Sequence, residues 1–367
     1  MIIKNARVFH GTGFSERELY TDGERISERP VGEVLDAEGC FAIPGLIDIH
    51  FHGCDGYDFC DGTVEALDAI SRYQARHGIT AICPASMTLP IEKLTEIFKT
   101  AASYQSQTGA TVCGINMEGP FFSYEKRGAQ NPEYLRLPDI TFFERLQKAA
   151  DGKIKITCIA PELEGAMEYI QSVSKQVKTS IAHTTADYDV AAKAIVAGVT
   201  HITHLFNAMP PFSHRAPGVV GAAAEADCVA ELICDGIHVH PSMVRAALKL
   251  FGRNRIALIS DSMMATGLDD GSYQLGGLAV NVCGNRATLA DGTIAGSVTN
   301  LFDCMKTAIA FGIAPEDAVW MATAVPAREI GEFSEMGSLD AGKYANILLV
   351  DEDWNLCKVI LRGECLC

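Results

Sequence analysis

The chain has 367 residues, 48% of them hydrophobic, and a formal net charge of −16 at pH 7. That length suits one large domain and a smaller one, and the negative charge argues against nucleic acid or an anionic membrane as a partner. Phosphorylated small molecules stay open as ligands, because local cations or backbone amides bind phosphate whatever the net charge. The N-terminus lacks the pattern of a secretion signal, no apolar run approaches transmembrane length, and the 13 cysteines lack CxxC or disulfide-like spacing. We therefore predict a cytoplasmic protein with reduced thiols.

Short alternating segments occupy both ends of the chain. Residues 1–44 are interrupted by Gly and Asp, which predicts small antiparallel strands, and the C-terminal tail returns to short strands. We predict that the two ends pair into one small β-sandwich domain, made of residues 1–44 and 333–367. The central domain would then cover residues 45–332.

The central segment alternates apolar strands with helical patterns, as parallel βαβ units do. Eight such units fit a (β/α)8 TIM-like barrel, whose active sites lie at the C-terminal ends of the strands. The predicted strands are 46–52, 79–85, 111–118, 153–160, 179–183, 199–204, 230–235 and 256–261. The predicted helices are 64–77, 89–104, 138–150, 189–197, 242–250, 300–311 and one after Pro315, with a hairpin over 273–294 turning at Gly276-Gly277 and Asp291-Gly292.

Five of these strands end on residue types that bind metals. They are His50 with His52, then Glu118, His183, His204 and Asp261. Side chains at i and i+2 of a strand point the same way, so the H-x-H pair can reach one ion. Taken singly, each has a plainer interpretation, such as a solvated strand end or, for His183, entry into a helix. Five together predict a divalent metal site.

Hydrolysis at neutral pH needs a metal that lowers the pKa of water and a carboxylate that moves the proton to the leaving amine. Asp261, at the end of the eighth strand, is the acid suited to that role. His238, just past the seventh strand, is either a donor to the substrate or an ordinary loop histidine. His201 and His240 have no predicted chemical role.

The segments PGLIDIHFHG, MEGPFFSYEKRGA, SIAHTTA, THLFNAMPPFSHRAPG, ICDGIHVHP, LISDSMMATG and DGTIAGS, in this order, resemble the N-acetylglucosamine-6-phosphate deacetylases of the amidohydrolase superfamily. The tail GSLDAGKYANILLVD resembles the closing β segment of amidohydrolases, so the resemblance covers nearly the whole chain. FNAM followed by HRAPG is specific to the deacetylases, whereas the H-x-H is common to the superfamily. The resemblance implies metal-dependent hydrolysis of the acetamide of N-acetylglucosamine 6-phosphate, which releases acetate and glucosamine 6-phosphate.

The resemblance also implies roles for individual residues. Glu118, His183 and His204 would bind the metal, and Asp261 would be the catalytic acid and base. Residues that hold or contact the phosphorylated N-acetylamino sugar would be Asn207, Ala208, Arg215 and His238. The family's counterpart of Arg215 reaches in from the neighbouring subunit, which predicts a homodimer.

Two positions bear on metal content and specificity. Some relatives replace the H-x-H by amides and hold one metal, whereas this chain keeps His50 and His52, so we expect one or two divalent ions, zinc or iron. The family usually has His where KRGAQNP has Gln130. Gln130 can hydrogen-bond sugar hydroxyls but cannot carry charge, which leaves the amino sugar open.

Three alternatives stay open. The closest is the galactosamine epimer of the substrate. A cyclic amidohydrolase such as a dihydroorotase shares the H-x-H barrel, but no strand-end Lys suits the carboxylated bridge, and Glu118 fills that position. A catalytically inactive scaffold predicts lost ligands, and here none is lost.

Overall fold

The structure is a computed structural model that describes residues 1–366, so Cys367, the last residue of the predicted segment 333–367, lies outside it. The strands are β1 Ile2–Lys4, β2 Arg7–Phe9, β3 Phe14–Glu16, β4 Leu19–Asp22, β5 Arg25–Ser27, β6 Val34–Asp36, β7 Phe41–Pro44, β8 Leu46–Asp48, β9 Gly53–Cys54, β10 Tyr57–Asp58, β11 Ile79–Ile82, β12 Thr111–Val112, β13 Ile115–Met117, β14 Ile154–Ile159, β15 Lys178–Ile181, β16 His201–Ile202, β17 Val229–Ile233, β18 Ile256–Ile259, β19 Gly271–Leu275, β20 Leu278–Cys283, β21 Arg286–Thr288, β22 Ile347–Val350, β23 Leu356–Leu361 and β24 Glu364–Leu366.

The α-helices are α1 Val64–Arg76, α2 Ile91–Ser103, α3 Ile140–Ala149, α4 Ala166–Val173, α5 Tyr188–Ala197, α6 Gly218–Glu225, α7 Pro241–Phe251, α8 Leu301–Ala310, α9 Pro315–Ala322 and α10 Ala324–Glu329. Short 3-10 helices cover Phe59–Asp61, Tyr124–Lys126, Pro132–Tyr134 and Arg253–Arg255. Across residues 1–366, no helix combines the length and the hydropathy that crossing a membrane requires.

The parallel strands curl into a TIM-barrel-like domain, which confirms the predicted barrel. Strands β8, β11 and β12 form one parallel group, and β13 to β18 form another in chain order. A bridge between Ala85 and Asn116 joins the groups, and the Asp261 backbone N–H donates to the His50 carbonyl at 2.9 Å, which returns the eighth strand to the first. Helices α1 to α8 alternate with these strands along the chain.

The strands are shorter than predicted, and two differences affect the site. The predicted strand 46–52 ends at Asp48, so His50 and His52 lie in the loop beyond it. The predicted strand 111–118 is two strands, because β12 pairs with β11 whereas β13 pairs with β14. Gly114 lies at this change of partner, where a Cβ would come within 2.3 Å of the Lys155 side chain.

Three helices, α4, α6 and α10, were not predicted from the sequence. Helix α6, GVVGAAAE, is apolar along most of its length and buried from Gly218 to Ala223, so it shows no amphipathic period. Helix α4 is short, and α10 contains Pro326, which argues against a helix on sequence alone. The Val325 side chain of α10 packs with Ile47 and Ile259 in the core inside the barrel.

Both ends of the chain contribute strands to one six-stranded sheet, in the order β24-β23-β22-β7-β2-β3. Strand β22 pairs antiparallel with β7, with Leu348 opposite Ile43, as the predicted pairing of the two ends requires. A four-stranded sheet, β5-β4-β1-β6, shares a core with it that includes Ile3 and Ile347.

The predicted hairpin after the eighth strand is a three-stranded antiparallel sheet, β19-β20-β21. Its first turn is at Gly276-Gly277, as predicted, and both residues have the positive φ, 57° and 83°, that a two-residue type I′ turn requires. The second turn lies at Gly284, and Asp291-Gly292 forms a later turn. Met87 and Met263 pack against this sheet, which places it beside the mouth of the barrel.

Candidate active site

The side chains predicted to bind metal converge at the C-terminal ends of the barrel strands. Glu118 Oε1 lies 3.2 Å from His183 Nε2, 3.3 Å from His204 Nε2 and 3.4 Å from His50 Nε2. His52 Nε2 lies 3.4 Å from the other oxygen of Glu118. Two groups of three ligand atoms each fit within 4.8 Å, and Glu118 belongs to both.

These atoms fit one or two divalent cations. His183 Nε2 and His204 Nε2 are 3.1 Å apart, and His50 Nε2 is buried with no hydrogen-bond partner among the described residues. Leaving a buried polar atom unpaired is costly. Zinc and similar ions are bound by histidine nitrogens and carboxylate oxygens, and here such atoms point at one another. These residues therefore fit a divalent metal ion.

Both carboxylates of the cluster are held ionised by the histidines around them. Burial alone would raise the pKa of Glu118, but His50, His183 and His204 lower that pKa well below its usual range. Burial likewise opposes ionisation of Asp261, and His52, with its Nε2 3.3 Å from Asp261 Oδ1, is the main cause that lowers the pKa of Asp261. An ionised Asp261 beside the cluster can accept a proton.

Four residues of the site have a left-handed backbone conformation, which is uncommon outside glycine. The φ angles are 46° at His183, 29° at His204, 52° at Ala208 and 50° at Asp261. Strained residues of this kind cluster at functional sites, where the surrounding structure holds them in place. His183, His204 and Asp261 each lie two residues past the end of a strand, and there the side chains meet in the cluster.

A pocket of about 500 Å³ lies over the cluster, and four of the five predicted substrate-binding residues line it: Asn207, Ala208, His238 and Gln130. His238 Nδ1 lies 2.6 Å from Asp235 Oδ2. Burial would lower the pKa of His238, but Asp235 raises it. Lys126 and Arg127, two cations to which the sequence interpretation gave no role, also line the pocket.

Gln130 is buried, and both ends of its amide already have partners. Its Nε2 donates to Glu118 Oε2 at 2.9 Å, and its Oε1 accepts the backbone N–H of Thr88 at 2.7 Å. The amide therefore contacts a candidate metal ligand as well as the pocket.

Arg215, the fifth predicted substrate residue, is exposed and does not line this pocket. It lies at a separate groove, next to Pro210, Pro211 and Pro217. Within a single chain the structure does not bring Arg215 to the cluster.

Behind the cluster lies a buried polar group that the sequence interpretation missed. Glu231 Oε2 is 2.8 Å from His50 Nδ1, and Glu231 Oε1 is 3.1 Å from His201 Nε2. His201 Nδ1 is in turn 2.8 Å from Glu329 Oε2. Burial would lower the pKa of His201, but the two glutamates raise it to about 9. The sequence feature that could have indicated this buried group is an acidic residue, Glu231, inside the apolar segment AELICD.

A TIM-barrel-like fold whose strand ends bring histidines and a shared carboxylate together beside an ionised aspartate defines the class of metal-dependent hydrolases. The amidohydrolase family pattern matches residues 41–365. The chain is 35% identical to the N-acetylglucosamine-6-phosphate deacetylase of Bacillus subtilis (strain 168), over 99% of this chain and 93% of that protein. It is 32% identical to the N-acetylgalactosamine-6-phosphate deacetylase of Escherichia coli O157:H7, over 94% and 92% of the two chains.

Solved structures agree. A mutant N-acetyl-D-glucosamine-6-phosphate deacetylase from Mycobacterium smegmatis, in complex with N-acetyl-D-glucosamine-6-phosphate, superposes with a TM-score of 0.92 and 31% identity, over 100% of this chain and 98% of that one. This chain therefore belongs to the amidohydrolase family and is a hydrolase.

Proposed function

We propose that the chain hydrolyses the acetamide of N-acetylglucosamine 6-phosphate to glucosamine 6-phosphate and acetate. The observation that carries the proposal is the convergence of Glu118, His183, His204 and Asp261 in one pocket. The names of the full-length relatives support the substrate.

One ion would be held by Glu118, His183 and His204, and a second by His50 and His52 with Glu118 shared. When bound, such an ion, zinc or iron, would lower the pKa of water and polarise the acetamide carbonyl. The chain's own residues supply the rest of the chemistry.

Asp261 accepts the proton of the attacking water as the new C–O bond forms, and passes it to the amine nitrogen as the C–N bond breaks. His238 has its Nδ1 committed to Asp235, so its Nε2 is the atom that contacts the substrate. Asn207 and Ala208, in the loop directly after the ligand His204, are suited to hold the sugar phosphate.

N-acetylgalactosamine 6-phosphate is a second candidate substrate, because one full-length relative is named for it. In addition, Gln130 stands where the family usually has His, and its amide is already hydrogen-bonded to Glu118 and Thr88. The test is acetate release from each epimer by protein of known metal content, with Asp261→Asn as the control. We expect release from the glucosamine epimer at the higher kcat/KM. Release from neither epimer by metal-loaded wild type would overturn the proposal.

We also infer a homodimer in which Arg215 binds the phosphate held in the partner's pocket. The exposure of Arg215, and its position outside the pocket of its own chain, support that role.

The sheet built from both chain ends supports a division of the chain into a small domain of residues 1–44 and 333–367 and a barrel of residues 45–332. The cysteines at described positions are free thiols, which suits a cytoplasmic location.

A further inference from the structure

A chain of buried ionisable side chains runs from the candidate metal cluster into the interior of the barrel. It starts at His50 and continues through Glu231 and His201 to Glu329. The first three are fully buried, and Glu329 is 7% exposed. Lys178, at the other end of the barrel, lies 3.5 Å from Glu329 Oε1 and ends the chain. A buried carboxylate is costly unless it is hydrogen-bonded on each side, as Glu231 is.

The contact with Glu231 determines which nitrogen of His50 is available to a metal. A neutral imidazole carries one N–H, and its other nitrogen holds a lone pair. With Nδ1 donating to Glu231 Oε2 at 2.8 Å, the lone pair lies on Nε2, and Nε2 is the nitrogen that faces Glu118 at 3.4 Å. A carboxylate behind a ligating histidine fixes the tautomer and the ring orientation and raises the basicity of the ligand.

Among the described residues, His50 is the only candidate ligand whose remaining ring nitrogen meets a carboxylate. His52 Nδ1 faces the carbonyl of Ala85 at 3.3 Å, and His183 Nδ1 faces the carbonyl of Lys126 at 2.9 Å. His204 Nδ1 has no hydrogen-bond partner in this part of the chain. Glu231 also accepts the backbone N–H of His204 at 3.1 Å, so it contacts both ligand sets but only one ligand ring.

We propose that Glu231 is a positioning residue that holds His50 as an Nε2 ligand, and that it thereby sets the affinity of the second metal ion, the one bound by His50 and His52. His201 and Glu329 hold Glu231 in place from the other side. This inference rests on the metal-dependent function proposed above. A purely structural Glu231 would instead affect stability, or the two ions equally.

The test measures zinc binding without any substrate. Wild type, Glu231→Gln, His50→Gln and the double variant are equilibrated in zinc buffers, and bound zinc per chain is determined by metal analysis. Glu329→Gln is the matched control, because it removes a buried carboxylate that contacts His201 but not His50. We expect Glu231→Gln to raise the dissociation constant of the second ion by about 10- to 100-fold while the first ion changes far less.

In the His50→Gln background, Glu231→Gln should cause no further loss of zinc, and Glu329→Gln alone should affect the second ion less than Glu231→Gln does. Equal weakening of both ions, an effect of Glu231→Gln that persists without His50, or a wild type that never binds more than one ion would overturn the proposal. If Glu231→Gln does not fold, Glu231→Asp retains the charge but retracts the carboxylate by one methylene, and the same selective loss is expected. Because zinc binding is measured without substrate, a negative result in the deacetylase assay and a negative result in this test can be told apart.

Discussion

Replacing Gln130 by methionine removes both polar ends of a buried amide while nearly preserving its volume. The hydrogen bond from Nε2 to the Glu118 carboxylate, 2.9 Å long, is of a kind that contributes about 1.5–3 kcal/mol. The Thr88 backbone N–H, which donates to Oε1 at 2.7 Å, would be left buried and unpaired at a cost of about 1–3 kcal/mol. Because both contacts share one side chain and do not add fully, we expect the free energy of unfolding to fall by about 2–4 kcal/mol.

Metal binding should change as well, because Glu118 belongs to both ligand groups. Freed from the amide, its carboxylate is less firmly oriented, and we expect the affinity for both ions to fall by about 10- to 100-fold. The assays are urea denaturation of metal-free protein and zinc titration against a competing chelator. KM for the sugar phosphate is measured separately on fully metal-loaded enzyme.

Gln147→Met is the matched control. Its amide, in helix α3, likewise makes two hydrogen bonds, but both are to the backbone of Ile154 and neither reaches a candidate metal ligand. Because Gln147 is only half-buried, this variant should lose less stability, and its zinc affinity should match wild type. If Gln130→Met keeps wild-type stability and zinc affinity and only raises KM, the amide acts on the sugar, and the reasoning from its two contacts is refuted.

The remaining predictions concern the chemistry of the pocket. Asp261→Asn should fold and bind substrate but lose about 10²–10⁴-fold in turnover, the usual effect of removing a general acid and base, and steady-state kinetics within a few-fold of wild type would reject the assignment. The double variant His50→Gln, His52→Asn should hold one ion per chain while sparing the site formed by Glu118, His183 and His204; if fully loaded wild type and variant both bind one ion per chain, the histidine pair does not bind metal. Arg215→Ala should weaken binding of the phosphorylated substrate far more than binding of its unphosphorylated analogue, because a planar, permanently charged guanidinium is suited to phosphate. Equal losses of binding for both compounds would exclude that role. If Arg215 acts across the dimer, mixing Arg215→Ala with Asp261→Asn protein should restore activity once the subunits exchange.

Much of the barrel and the identity of the residues in its mouth are readable from the sequence. Apolar strands that alternate with amphipathic helices leave a local periodicity, and in a parallel barrel the chain leaves each strand at the same rim. A histidine or acid placed just after a strand is therefore brought to that rim whatever its number in the chain. This is why Glu118, His183, His204 and Asp261 could be selected together.

Contacts that join distant parts of the chain were decided only by the tertiary structure. Glu231 is separated from His50 by 181 residues, and an acid inside an apolar strand has no local pattern that tells which ring it will meet. Gln130 was predicted to contact substrate, and only the folded chain shows its amide engaged with Glu118 and Thr88. Periodicity records which face of an element is buried, but not which partner that face meets, because the partner is selected by packing between elements that are far apart in sequence.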